Sequence, residues 1–161
     1  RQIAHAIQAV HAAGYIHRDI CPRNLMIDTQ EGALKLIDFG LTVPATPEFM
    51  QPGNRTGTPN YMAPELVKRQ HTDTKLDVFS FGVTAFELCT FMLPWERGTT
   101  GQAAMSHASL PPRDIREYRP QLDPLLATAI MKCLEREPEK RSNLEQFLRS
   151  IHKVVHEDQP G

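Results

Sequence analysis

Residues Tyr15–Asn24 read YIHRDICPRN, a run in which an aspartate and an asparagine frame four spacers. Fourteen residues past Asn24 comes Asp38-Phe39-Gly40, and Ala63-Pro64-Glu65 lies further on. Between the first two clusters, Leu25-Met26-Ile27 reads as a short apolar strand, Asp28–Gly32 as a turn and Ala33–Ile37 as a second strand. Antiparallel pairing sets the start of the first strand beside the end of the second. Asn24 and Asp38 are therefore expected at the same open end. An amide oxygen and a carboxylate side by side are donors of the kind Mg²⁺ takes, with phosphates and water completing its octahedron.

Composition bounds the reading without deciding it. The 161 residues suffice for one domain with a hydrophobic core, and apolar (40%) and charged (23%) contents are those of an ordinary soluble chain. A net charge of −1 gives no reason to expect nucleic acid or an anionic membrane as partner. No apolar run is long enough to span a bilayer, and the first residues do not resemble a signal peptide. Cys21, Cys89 and Cys133 are few, odd in number and widely spaced, which suggests a reducing, cytoplasmic setting and no zinc site.

Along the chain, helices dominate. Ile3, Ala6, Ile7 and Val10 fall at helical spacing, with Gly14 as a stop. Leu41–Asn60 lacks periodicity, and so long an irregular segment is expected to be functional or mobile. A short helix is expected within Tyr61–Lys68. Asp73 or Thr74 could cap the next, KLDVFSFGVTAFELCTF, whose apolar residues Leu76, Val78, Phe79, Phe81, Val83, Ala85, Phe86 and Leu88 occupy every face. Such a helix is a buried central one. Gly98–Pro112 reads as a weak helix between turns, and Asp123-Pro124 as the start of another. Ser142 and Glu145 form a capping-box pattern, followed by a core-facing stripe of Leu144, Phe147, Leu148, Ile151, Val154 and Val155.

His-Arg-Asp-x4-Asn, Asp-Phe-Gly and Ala-Pro-Glu, in this order and spacing, resemble the signature set of the eukaryotic-like serine/threonine protein kinases. The likeness covers their carboxy-terminal (large) lobe. The fold it implies is mainly α, the helical lobe of the α+β kinase fold, with a small β-hairpin. The lobe would span 1–155, with a catalytic loop at 15–24, an activation segment at 38–65 and a disordered tail at 156–161. The function implied is transfer of the ATP γ-phosphate to protein serine or threonine hydroxyls, with ATP and Mg²⁺ required.

Residue by residue, the resemblance assigns Asp19 as the group that accepts the substrate hydroxyl proton, and Asn24 and Asp38 as metal ligands. Met26 and Ile37 match positions lining the adenine pocket, or are ordinary hairpin core. His17 matches a structural residue stacked on Phe39. Arg18 matches an arginine that binds a phosphate on the activation segment. The family's usual phosphorylated position there is Asn54, which leaves Thr42, Thr46 and Thr56, with Thr56 nearest. Gly57–Met62 resembles the segment that receives the residue after the acceptor, with Thr58 in the serine/threonine-type position. Glu65 and Arg141 match a buried ion pair, and Asp77 a buried anchor for the catalytic-loop backbone.

One position departs from the pattern. Serine/threonine kinases have a lysine where Cys21 stands, and a protonated thiol cannot replace its charge. Arg23 sits where many tyrosine kinases place an arginine for a similar task, and is expected to supply that charge. No Gly-x-Gly-x-x-Gly run and no Val-Ala-Ile-Lys strand occur within 1–161. These belong to the amino-terminal β lobe, which the resemblance places elsewhere in a longer protein, so this chain alone is expected to turn over little. A non-catalytic pseudokinase or interaction module is the alternative reading.

Overall fold

The computed structural model describes residues 1–53, 56–98 and 100–152. Twelve short elements follow one another: α1 (Gln2–Ala12), β1 (Tyr15–Ile16), β2 (Leu25–Asp28), β3 (Ala33–Leu36), β4 (Val43–Pro44), α2 (Pro47–Met50), α3 (Pro64–Val67), α4 (Lys75–Thr90), α5 (Thr100–Ser109), α6 (Ile115–Tyr118), α7 (Pro124–Cys133) and α8 (Leu144–Ser150). The chain is mostly helical with two small two-stranded sheets, as expected of the helical lobe that its sequence resembles.

Helix α4 is the centre of the lobe. Its side chains from Leu76 through Thr84, and Phe86, are buried, so it has no solvent face along most of its length. Helices α1, α6 and α7 pack around it. The approach to α7 is close: a Cβ at Gly82 would lie 2.8 Å from the Cys133 Cβ and 3.0 Å from Leu134 Cδ2. The last turn of α4 leaves the core. Leu88, expected inside, is half exposed, and Phe91 at the C-cap stands in solvent. Hydrophobicity on every face coincides with burial up to Phe86, but the apolar stripe runs past the point where α7 and α6 cover the helix.

Caps set several boundaries. Asp123 accepts the amides of Leu125 and Leu126, with Pro124 at the first helical position. Before α4 the capping carboxylate is Asp73, whose Oδ1 accepts the Lys75 amide at 2.7 Å. The capping box of α8 lies one residue later than its sequence pattern suggested. Asn143 accepts from the Gln146 amide while Gln146 Oε1 accepts from the Asn143 amide, both at 2.8 Å. Ser142 is instead held in the preceding loop, its amide donating to Lys132 O. Val154, Val155 and the tail 156–161 lie outside the described residues.

Segment 41–60 contains two elements not read from its composition, β4 and α2. Strand β4 pairs with β1 (Tyr15↔Pro44, Ile16↔Val43), which folds the chain after Gly40 back onto the loop 15–24. Beyond it, α3 is tied to the base of the lobe. Arg141 donates Nη1 to Glu65 Oε1 (2.7 Å) and Nη2 to Glu65 Oε2 (3.0 Å), a buried bidentate pair, and its guanidinium lies 5.1 Å from the Phe79 ring centroid.

Candidate active site

The loop 15–24 is shaped by a single carboxylate from α4. Asp77 is fully buried; its Oδ2 accepts the His17 amide at 2.8 Å and its Oδ1 the Arg18 amide at 2.9 Å. Arg18 takes a left-handed backbone, φ 71°, and that reversal turns the following residue, Asp19, toward Asn24. His17 is buried. Its ring stacks edge-on against Phe39 at 5.0 Å, its Nδ1 accepts the Asp19 amide at 3.1 Å, and its Nε2 lies 3.2 Å from Ile37 O. It packs into the scaffold and meets Asp19 through the backbone only.

Asp19 is held on both carboxylate oxygens. Thr58 donates its hydroxyl to Oδ1 at 2.7 Å, and Asn24 Nδ2 donates to Oδ2 at 3.1 Å and to the Asp19 carbonyl at 2.8 Å. Arg23 reaches the same point from solvent, with Nη2 at 3.3 Å from Thr58 Oγ1 and 3.7 Å from Asp19 Oδ2. Cys21 is buried beneath. Burial, and next the neighbouring negative charge of Asp19, push its thiol up from the ordinary value, so it stays protonated and neutral. Asp19, Asn24, Thr58 and Arg23, spread over 40 residues of sequence, thus share one surface.

The hairpin sets the remaining candidates. Its register is Leu25↔Leu36, and the Ile37 amide donates to Asn24 O at 2.9 Å, so Asn24 and Asp38 leave the hairpin at the same end. Asp38 is exposed, with φ 59°, and its Oδ1 accepts the Gly40 amide at 3.1 Å. Among the described residues no lysine, arginine or histidine forms an ion pair with it. With Nδ2 of Asn24 committed to Asp19, the amide oxygen is the atom left to coordinate. One amide oxygen and one exposed carboxylate suit a hard divalent cation that takes its other ligands from phosphate and water. Among the described residues no group of three His, Cys, Asp or Glu could hold a metal without such help.

Met26 and Ile37 are 55% and 38% exposed, which overturns the hairpin-core reading of both. The hairpin is a thin ribbon with a single covered face. There Gln2 holds it to α1, its Oε1 accepting the Leu34 amide at 2.7 Å and its Nε2 donating to Gly32 O at 3.0 Å. An apolar cavity of about 740 Å³ opens beside it, lined by Ala6, Val10, Tyr15, Leu36 and Phe39 among others.

Arg18 and Thr56 line a second cavity of about 410 Å³ together with Arg69 and Thr72. Burial lowers the Arg18 guanidinium from its ordinary value, and the nearby Asp77 raises it in part. Of the three threonines considered from sequence, Thr42 donates to His17 O at 3.3 Å and Thr46 stands at the N-cap position of α2 with no side-chain capping bond; Thr56 opens into the Arg18 cavity. Asn54 lies outside the described residues.

Two groups next to the site escaped sequence reading. His11, at the last turn of α1, lies 2.7 Å from Asp77 Oδ2. Glu87 on α4 accepts the Tyr61 hydroxyl and, at 3.1 Å, Arg97 Nη2. A lone histidine near a helix end and a charged residue in an apolar helix are signals too common to act on without coordinates.

A model of the protein kinase domain matches residues 1–152. The chain belongs to the protein kinase domain family. Among curated relatives of this kinase-family chain, a probable serine/threonine-protein kinase of Clostridium acetobutylicum is 30% identical over 158 residues, 95% of this chain and 23% of the relative. The serine/threonine/tyrosine-protein kinase HT1 of Arabidopsis thaliana is 34% identical over 165 residues, 98% of this chain and 40% of its own length. The serine/threonine-protein kinase PkaA of Streptomyces coelicolor is 34% identical over 159 residues, 96% and 28% respectively. The kinase-family chain therefore spans less than half the length of each of these relatives. Among the described residues no helix is long and apolar enough to cross a membrane.

Proposed function

We propose that this chain is the catalytic and substrate-binding lobe of a protein serine/threonine kinase. In this reading the hydroxyl oxygen of a substrate serine or threonine attacks the γ-phosphorus of ATP. The bond from that phosphorus to the β,γ-bridging oxygen breaks, ADP departs, and the hydroxyl proton passes to Asp19. Mg²⁺, when bound, neutralises phosphate charge. The chain's own residues do the positioning: Asn24 and Asp38 hold the metal, Thr58 and Asn24 aim the Asp19 carboxylate, and Arg23 sets a cation beside the transferred group. Phosphoryl transfer depends chiefly on such placement and on electrostatics. Met26 and Ile37 offer exposed apolar side chains for the adenine ring. Arg18 pairs with phosphate on Thr56, in a loop-ordering role.

The observation that carries the reading is the fixing of both Asp19 oxygens, one by Thr58 and one by Asn24. A non-catalytic scaffold has no use for a carboxylate so placed next to an Asn24/Asp38 pair. Against it, the neutral, buried Cys21 favours a pseudokinase. The full-length protein that contains this chain decides between them. With labelled Mg·ATP it should phosphorylate serine or threonine in a protein substrate, and Asp19→Asn should abolish transfer while nucleotide binding persists. Nucleotide or partner binding with no transfer by the unmutated protein would make it a pseudokinase.

A further inference from the structure

Segment 58–65, which brings Thr58 to Asp19, is held to the helices at two points. His107 on α5 meets Met62 O through Nδ1 at 2.7 Å. Further along, Arg141 grips Glu65 and is itself fixed by the carbonyls of Glu135 (2.9 Å) and Arg136 (3.2 Å). His107, Glu135 and Arg136 all line one cavity of about 430 Å³, bounded by α5, α6 and α7. The cavity therefore touches both holds on the segment while sharing no lining residue with the candidate active site.

One buried nitrogen in it lacks a partner. A carbonyl oxygen only accepts, so His107 carries its proton on Nδ1 and leaves Nε2 a bare acceptor. Burial pushes the imidazole down from its ordinary value, opposed in part by the Met62 bond, so the ring is neutral at neutral pH. Among the described residues Nε2 has no hydrogen-bond partner, although His107 is only 3% exposed. The surface left to it lines the cavity, and a donor must come from there. Buried polar atoms are nearly always satisfied, and this space far exceeds the ~30 Å³ share of a single water.

The rest of the lining defines the donor's chemistry. Trp95 spends its indole N–H on Leu110 O at 3.1 Å and so offers the cavity a ring alone. Arg116 is occupied by Asp114 and Thr128, and Glu137 is matched by Lys140. Among the described residues Lys132 and Arg136 form no ion pair, and Glu135 is the one acid of the rim left to oppose them. The rim thus keeps an excess of positive charge.

We propose that this cavity is a regulatory site for a small aryl carboxylic acid with a hydroxyl on its ring. The hydroxyl donates to His107 Nε2, the ring lies against Trp95, and the carboxylate meets Lys132 and Arg136. A cavity of this size suits a ligand of one ring and a short acid arm. Donation to Nε2 holds the proton on Nδ1, the tautomer that the Met62 bond requires. Ligand and segment therefore stabilise each other, and each must favour the other equally. Occupancy of the cavity does not depend on the role of Asp19.

The test uses the full-length protein and three probes: p-hydroxyphenylacetate, phenylacetate and p-cresol. In calorimetry p-hydroxyphenylacetate should saturate with a Kd below about 1 mM. Phenylacetate should bind about tenfold more weakly, the worth of one hydrogen bond in a buried site. p-Cresol, which lacks the acid, should also bind more weakly. Bound p-hydroxyphenylacetate should slow hydrogen exchange of the Tyr61 and Met62 amides, which donate to Thr58 O and Pro59 O. His107→Phe keeps a ring and loses both nitrogens, so phenylacetate and p-hydroxyphenylacetate should then bind alike. That variant also gives up the Met62 bond, so the rim supplies a second reading. Lys132→Ala with Arg136→Ala should bring p-hydroxyphenylacetate down to the affinity of p-cresol with the melting temperature unchanged. No saturable binding, equal affinity of the two acids for the parent, or affinities untouched by both variants overturns the proposal; water is then what meets Nε2. Saturable binding that leaves the Tyr61 and Met62 amides unchanged overturns it too, since the ligand would not reach the segment. So does an acidic tyrosine-containing peptide that binds more tightly than the free acid, because the occupant would then be a polypeptide.

Discussion

His11 Nε2 lies 2.7 Å from Asp77 Oδ2, on the same oxygen that accepts the His17 amide. Asp77 is fully buried, so each of its three donors offsets the cost of keeping a carboxylate away from water. Two of the three are backbone amides immediately before Asp19, and the imidazole fixes the rotamer on which both depend. Removing it with His11→Ala should cost about 1–3 kcal/mol, the range for a lost hydrogen bond to a buried charged group. Denaturant unfolding measures that loss. Hydrogen exchange should show it locally, as faster exchange of the His17 and Arg18 amides with α7 unaffected. His11→Gln, which keeps a donor of similar reach, should recover part of both. An unchanged exchange pattern in His11→Ala would remove the anchoring role.

The Glu65–Arg141 pair makes a larger claim on stability. Both side chains are buried, the contact is bidentate, and Arg141 also donates to the carbonyls of Lys75 (2.8 Å) and Glu135 (2.9 Å). Truncating one partner leaves the other charge buried and unpaired. Glu65→Ala and Arg141→Leu should each lower unfolding free energy by about 3–5 kcal/mol. The double variant should cost clearly less than their sum, since the second substitution removes the stranded charge. Additive losses would mean that the two side chains act separately.

Legibility from sequence followed locality. The hairpin, the α7 cap and the central helix each rest on residues within a few positions of one another, and they were readable because pattern and structure share that range. The placing of Asn24 and Asp38 at one end was readable too, since strand pairing alone dictates it. Long-range polar contacts were readable only where a family pattern named both partners, as for Glu65 with Arg141 and Asp77 with the loop backbone. His11 on Asp77 and Arg97 on Glu87 have no such pattern behind them. The exposure of Leu88, expected inside, has another cause: hydrophobicity states what a residue would gain by burial, and only the packed neighbours determine whether it is covered. The capping box slipped by one because Ser142 and Asn143 are both good caps, and the Lys132 carbonyl took the amide of the first.

The helix contact at Gly82 gives a packing test. A methyl group there would meet Cys133 Cβ at 2.8 Å and Leu134 Cδ2 at 3.0 Å, closer than side chains settle. Gly82→Ala raises helix propensity, which alone would stabilise α4 by about 1 kcal/mol. Overpacking of about 1–3 kcal/mol should outweigh that gain. The variant should therefore melt lower than the parent, and a higher melting temperature would show that α4 and α7 can part at little cost.

Alkaline pH should expose the same interface. Burial pushes the Cys133 thiol up to about 12 from an ordinary value of 9.0. The unfolded thiol releases its proton near 9, whereas the folded one keeps it, so the folded state binds more protons in between. Its contribution is complete below pH 9 and is lost as pH rises toward 12. Burial and the Tyr61–Glu87 hydrogen bond raise the Tyr61 phenol as well, adding to the same trend. Unfolding free energy should fall between pH 9 and 11, and more gently in Cys133→Ala whatever that variant's stability at neutral pH. Parallel slopes for the two proteins would exclude Cys133 as a source.

The charge beside Asp19 gives the sharpest functional comparison. Cys21 is closest in sequence, two residues after Asp19, but its thiol is buried and held neutral, so in the proposed reaction it would add no field at a transferred phosphate. Arg23 is 69% exposed and tips inward, Nη2 meeting Thr58 Oγ1 at 3.3 Å with Asp19 Oδ2 at 3.7 Å. As a stability contact so exposed a pair is worth little, at most about 1 kcal/mol. In the proposed phosphoryl transfer, where charge would develop beside it, its loss should cost far more, since losing one such donor typically lowers kcat by about 10²–10³. In the full-length protein Arg23→Ala should therefore lose about two orders of magnitude in kcat with little change in melting temperature. Cys21→Ala should stay within a few-fold of the parent, and Arg23→Lys should fall between. Equal, small losses at both positions would show that the charge comes from elsewhere in the protein.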